Sequence, residues 1–190
     1  MRDVPGRPVP EDFSRAVESL RSTRLRSEVV LTEVPAPGRI APYAAALTAD
    51  VVSDGEELAT GRFVLLHDPV GEEAWAGTFR AVTFVRAALE PEMGTDPLLG
   101  QVGWSWLEEC LELAGARAVA TGGTVTRVLS ESFAALADRP STVEIEIRAS
   151  WTPVDADMEP SLRAWADLLC TAAGLPPLPD GVTSLPRRLR

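Results

Sequence analysis

The chain has 190 residues, 45% of them apolar and 24% charged, with a formal net charge of −10. These values describe a soluble globular protein with one core that needs neither disulfides nor a metal to fold, and the acidity argues against a general phosphate-backbone binder. Lysine and asparagine are absent and the eighteen Lys-or-Arg residues are all arginine, so Schiff-base chemistry, pyridoxal-phosphate catalysis and a lysine-bearing phosphate loop are excluded, because each needs a primary amine.

In chain order, residues 1–9 are rich in Pro, Arg and Gly and are expected to be a disordered tail. Phe13, Ala16, Val17 and Leu20 recur at helical spacing, with Glu11 and Asp12 at the favourable end. Glu28 to Val34 reads as a strand stopped by Pro35, Pro37 and Gly38. Ala44 to Val52 follows as a second, closed by the turn Ser53-Asp54-Gly55, then Leu58 to Leu66 and Thr78 to Leu89. The last of these is apolar on both faces, which predicts a central place in the sheet. His67 to Gly77 is expected to be a long hairpin loop.

After the polar connector Glu90 to Asp96, a helix is predicted to Ala114, with Val102, Trp106, Leu107, Cys110, Leu111 and Ala114 on one face and Gly115 as the stop. Ala116 to Ala120, a bend or bulge at Gly122-Gly123 and a strand from Thr124 to about Phe133 come next. Thr142 to Trp151 is the clearest strand: Val143, Ile145, Ile147, Ala149 and Trp151 alternate with Glu144, Glu146, Arg148 and Ser150. About eight residues separate it from its predecessor, too few for a parallel crossover, so the two strands are predicted antiparallel. A last helix spans Glu159 to Ala173, with Pro160 in its first turn and Gly174 and Pro176-Pro177 beyond its end.

The predicted fold is therefore α+β: a mostly antiparallel sheet of about six strands with helices on one face, in the order α-β-β-β-β-α-β-β-α. The single domain is placed at residues 10–178, followed by a basic tail at 179–190 that holds Arg187, Arg188 and Arg190. The order of elements looks like that of secretion chaperones, a similarity of pattern alone. With no apolar run near eighteen residues and no basic-then-apolar leader, export and membrane insertion are not expected. Cys110 and Cys170 sit in helical stripes and read as buried free thiols of a reducing cytosol.

The most reactive-looking segment is the 67–75 loop, which gathers His67, Asp68, Glu72, Glu73 and Trp75. Histidine beside carboxylates can serve acid–base chemistry or hold a divalent metal; a tight turn with solvated glutamates is the structural alternative. Glu90, Glu92 and Asp96 could offer oxygen ligands, but without the spacing of a calcium loop. "TGGTVTR", at 121–127, precedes a strand rather than a helix and reads as a bulge. Ser130 and Ser132 have no nucleophile-elbow pattern. Arg15, Arg21, Arg24 and Arg26 gather near the first helix and read as a solvated face. Trp75, in a loop, or Trp104, off the main helix stripe, or both, is expected to be partly exposed and to mark a contact surface, with packing of Trp104 against a neighbouring strand as the structural alternative.

The stretches "TGRFVLLHDPVGEEAWAGTFRAVTFVRAALEPEM", "VGWSWLEECLE", "GTVTRVLSESF" and "EIEIRASWTP", followed by "LLCTAAGLPP", together resemble the actinobacterial domain-of-unknown-function family three thousand, over about residues 11 to 180. The resemblance implies no activity, cofactor or site residue, and a GC-rich genome of that kind would account for the missing lysine and asparagine. The residues favour a cytoplasmic, non-catalytic interaction or regulatory domain with an unknown protein partner or a homodimer. No catalytic residue, cofactor or metal is assigned. The alternative is an enzyme or a small-molecule or metal binder that uses the 67–75 loop, with His67 as acid–base and Asp68 or Glu73 as its carboxylate. Contact with nucleic acid through the terminal arginines is the third reading, disfavoured by the acidity.

Overall fold

The structure is a computed structural model, and it describes residues 8–177. Helix α1 (Glu11–Ser22) precedes four strands, β1 (Val29–Val34), β2 (Tyr43–Ser53), β3 (Glu56–Glu72) and β4 (Gly77–Leu89). Helix α2 (Leu99–Leu113), strands β5 (Ala118–Ser130) and β6 (Thr142–Pro153) and helix α3 (Glu159–Ala172) complete the order. The six strands form one antiparallel sheet in the order β1-β2-β3-β4-β6-β5. Because β6 inserts between β4 and β5, those two run parallel and are joined across it by α2, the crossover that such a pair requires. β5 pairs antiparallel with β6, as expected.

Local chemistry explains the hairpins. Asp54 and Gly55, with φ of 52° and 87°, form the two-residue turn between β2 and β3 whose left-handed conformations match strand twist. Between β3 and β4 a short 3-10 turn (Glu73–Trp75) is closed by left-handed Ala76. The expected long loop at 67–77 is largely strand: β3 continues to Glu72, with its register against β4 broken between His67 and Glu72. The bend expected at the paired glycines is a bulge inside one strand, with left-handed Ala120 and a register shift between Val119 and Gly122. A second 3-10 turn (Pro91–Thr95) takes up the connector, so α2 starts at Leu99.

All three helices pack on one face. Phe13, Ala16, Val17 and Leu20 of α1 join Leu107 and Cys110 of α2 and Leu162, Trp165 and Leu169 of α3 over Phe63, Leu65, Val85, Ile145 and Ile147. Trp165 is fully buried, and its indole N–H donates to the Phe84 carbonyl at 3.2 Å. Gly61 makes that approach possible, since a Cβ there would lie 2.7 Å from the Phe84 oxygen and 3.0 Å from the Trp165 ring. Val143 and Ile147 face this core, and both cysteines are buried and free. Among the described residues no helix is long and apolar enough to cross a membrane. The two tails predicted from the sequence lie mostly or wholly outside the described residues.

Candidate functional site

The hairpin tip separates the side chains that the alternative reading of the 67–75 loop would bring together. His67 follows Phe63 and Leu65 in the strand alternation, so its ring enters the helix-side core and is 2% exposed. It stacks on Phe79 at 4.3 Å and on Phe13 at 5.8 Å, with Tyr43 at 6.1 Å. The Thr78 carbonyl can only accept, so Nδ1 carries the proton and donates to it at 3.0 Å. Nε2 is buried with no partner among the described residues. Burial holds the imidazole pKa below its usual value, against the opposing pull of the Thr78 bond and of Asp12 and Asp68. The expectation that His67 belongs to a hairpin loop is thus corrected. Asp68, the next residue, points to the opposite face and caps its own turn through the Val70 N–H, while Glu73 is exposed at the tip. Among the described residues no cluster of three His, Cys, Asp or Glu side chains could hold a metal, at the tip or along Glu90 to Asp96. Asp96 instead accepts from the Leu98 N–H.

Three of the four arginines near α1 are held in ion pairs. Arg15 pairs with Asp12, Arg21 with Glu33 at 3.1 Å, and Arg26 with Glu28 at 3.1 Å. Arg187, Arg188 and Arg190 lie outside the described residues.

Trp75 and Trp104 are both half-buried. Trp75 folds back over the sheet face away from the helices, packing with Ala36, Ala44, Ala46, Val64 and Leu66, and its carbonyl accepts from the Thr152 hydroxyl. Trp104 lies under β5. A Cβ on Gly123 would come within 3.0 Å of its ring, and its N–H donates to Glu108 at 2.9 Å.

Two surfaces stand out that no single sequence window announced. The first is the helix-free face of the sheet. Strand register sets Arg62, Phe84, Arg148 and Thr124 side by side in one row, and Val64, Val82, Ser150 and Gly122 in the next. Together they line a groove of about 480 Å³. The Arg148 guanidinium lies over the Phe84 ring, 5.3 Å from its centroid, and pairs with Glu146 at 2.7 Å. Arg62 spends one N–H on the Pro35 carbonyl at 3.3 Å. One row beyond, Arg80 donates to Ser150, Thr152 and the Ala120 carbonyl. Among the described residues neither Arg62 nor Arg80 has a carboxylate partner, and burial holds the Arg80 pKa below its usual value. The period-two alternation was the available signal, since Arg80, Val82, Phe84 and Arg86 share one parity of β4.

The second surface is the β5 edge. β1, the other edge, is six residues long, carries Glu33 and runs into Pro35. β5 runs for thirteen residues without proline and with one charge, Arg127, which is folded back onto the Asp96 carbonyl at 2.6 Å. The exposed apolar side chains Leu98, Val102, Val119, Leu129, Phe133 and Leu136 belong to β5, to the turn after it, or to the start of α2, which packs on it.

Searches of curated proteins and of solved structures each return no match. The family model described as protein of unknown function (DUF3000) matches residues 9–183, and the chain belongs to that family.

Proposed function

We propose that this chain is a non-catalytic interaction domain that works by strand addition at β5, with a second copy of β5 as its partner. The long unprotected edge carries this reading. Unpaired N–H and C=O groups along a flat strand are a template for another strand, and edges that must stay single are shortened, charged or broken by proline. β1 has those devices, whereas β5, beyond the bulge between Val119 and Gly122, runs on to Ser130 with no proline and the single charge Arg127. Antiparallel pairing about a two-fold axis uses the same surface on both copies, so the contact closes on itself. Strand pairing alone buries less than the roughly 1,200–2,000 Å² of a stable interface. Leu129, 55% exposed, and Phe133, 73% exposed, supply apolar surface beside the edge. A cytoplasmic location belongs to the same reading, because the free thiols of Cys110 and Cys170 suit a reducing compartment.

Sedimentation velocity of the wild type beside the double variant Leu129→Lys/Phe133→Lys tests it. Both positions are exposed, so the variant should keep the wild-type circular dichroism and melting curve. The wild type should show a monomer–dimer equilibrium and the variant a monomer. A wild type that stays monomeric up to its solubility limit would overturn the reading.

A further inference from the structure

We infer that the helix-free face binds a small amphipathic organic anion, its apolar body lying on Val64, Val82 and Phe84 and its negative group held by Arg62 beside Arg148. The inference does not depend on pairing at β5, since monomer and dimer both present this face.

Charge is the first argument. In a chain of net charge −10, carboxylates are plentiful, and Arg86 and Arg148 on this face each hold one. Arg62 and Arg80 hold none among the described residues. Arg80 is fixed by two hydroxyls and a carbonyl and acts as a standing positive charge one row beyond the floor. Arg62 is the guanidinium with donors to spare, having made only the long bond to the Pro35 carbonyl. A planar guanidinium of this kind matches a carboxylate or phosphate with two parallel bonds.

Shape is the second argument. Val82 is 38% exposed although it stands on a central strand, and Phe84 offers the ring that Arg148 covers from one side. Gly122 extends the floor toward β5, because nothing lies within 4 Å of where its Cβ would be. At about 480 Å³ the groove has the size of small-molecule sites, which are apolar with a few placed polar groups. The chain's own remaining segments do not complement it: residues 1–7 and 178–190 hold Arg2, Arg7, Arg187, Arg188 and Arg190 against Asp3 and Asp180.

Calorimetric titration with 2-naphthoate, with 2-naphthylmethylammonium and with inorganic phosphate tests the inference. Naphthoate should bind the wild type. The ammonium analogue, which lacks the negative charge, and phosphate, which lacks the apolar body, should bind at least about tenfold more weakly. Arg62→Gln should weaken naphthoate binding about tenfold, the worth of a charge-assisted bond. Gly122→Phe leaves every arginine in place and fills the floor, and it should abolish binding. Both substitutions fall on open surface, so unchanged melting curves show that the fold is intact. Naphthoate binding that is undetectable, unchanged in both variants, or matched by the ammonium analogue would overturn the inference.

Discussion

Replacing His67 isolates one buried ring, and because it is the chain's single histidine, its titration can be read without interference from another imidazole. His67→Ala removes a side chain packed 4.3 Å from Phe79 and 5.8 Å from Phe13. Large-to-alanine changes in a core cost about 2–5 kcal/mol, and the lower half of that range fits a ring of this size. His67→Phe keeps the aromatic packing and removes the unpartnered Nε2, but gives up the bond to the Thr78 carbonyl, so it should cost about 1 kcal/mol or less at neutral pH. The two variants also differ from wild type in their pH response. Burial lowers the folded-state pKa of His67 from its ordinary 6.5, so below that value the unfolded chain binds a proton that the folded chain refuses. Stability from this group is complete above about pH 6.5 and falls as pH drops toward the folded pKa, by at most about 1.4 kcal/mol per pH unit. Urea unfolding followed by tryptophan fluorescence, at about pH 7.5 and about pH 5.5, measures both effects. The wild type should lose more stability than His67→Phe over that interval. Parallel losses in the two proteins, or a His67→Ala variant within about 0.5 kcal/mol of wild type, would refute the reasoning.

Gly61→Ala should destabilise the fold by about 1–3 kcal/mol, because its Cβ would meet the Phe84 backbone oxygen at 2.7 Å and neither strand can yield without moving its neighbour; thermal unfolding reads the shift. Cys110 and Cys170 should resist a thiol reagent in the native protein and react fully in denaturant, since burial pushes their pKa values up to about 12 and about 11. Ser161→Ala should cost about 1–3 kcal/mol in urea unfolding, because it leaves the buried Trp151 indole N–H without the acceptor it now has at 3.1 Å.

β6 was legible in the sequence because its faces differ: Ile145, Ile147 and Ala149 turn to the helices and Val143, of the same parity, is buried by the turn at Gly94, while Glu144, Glu146 and Arg148 lie on the other face. The helices were legible for the same reason, each carrying one apolar stripe. His67 was misplaced because the strand was ended at Leu66, one residue short of it. Had the alternation of Phe63 and Leu65 been continued two residues further, it would have put the ring in the core. Of the groove, only the shared parity of Arg80, Val82, Phe84 and Arg86 on β4 was legible, since Arg62, Phe84 and Arg148 come from three separate strands and meet only through inter-strand register. The exposed edge was hidden likewise. Nothing local in β5 states that β6 lies between it and β4, leaving its other side open.

Hydrogen–deuterium exchange of the backbone amides across protein concentration tests strand addition most directly. In the monomer the outward N–H groups of β5 have no ladder partner, and a second strand would give them one. The account predicts that the outward amides between Gly122 and Ser130 become protected as concentration rises, while those of β1, the edge that carries its own protection, do not change. Equal exchange of the β5 amides at every concentration would contradict it.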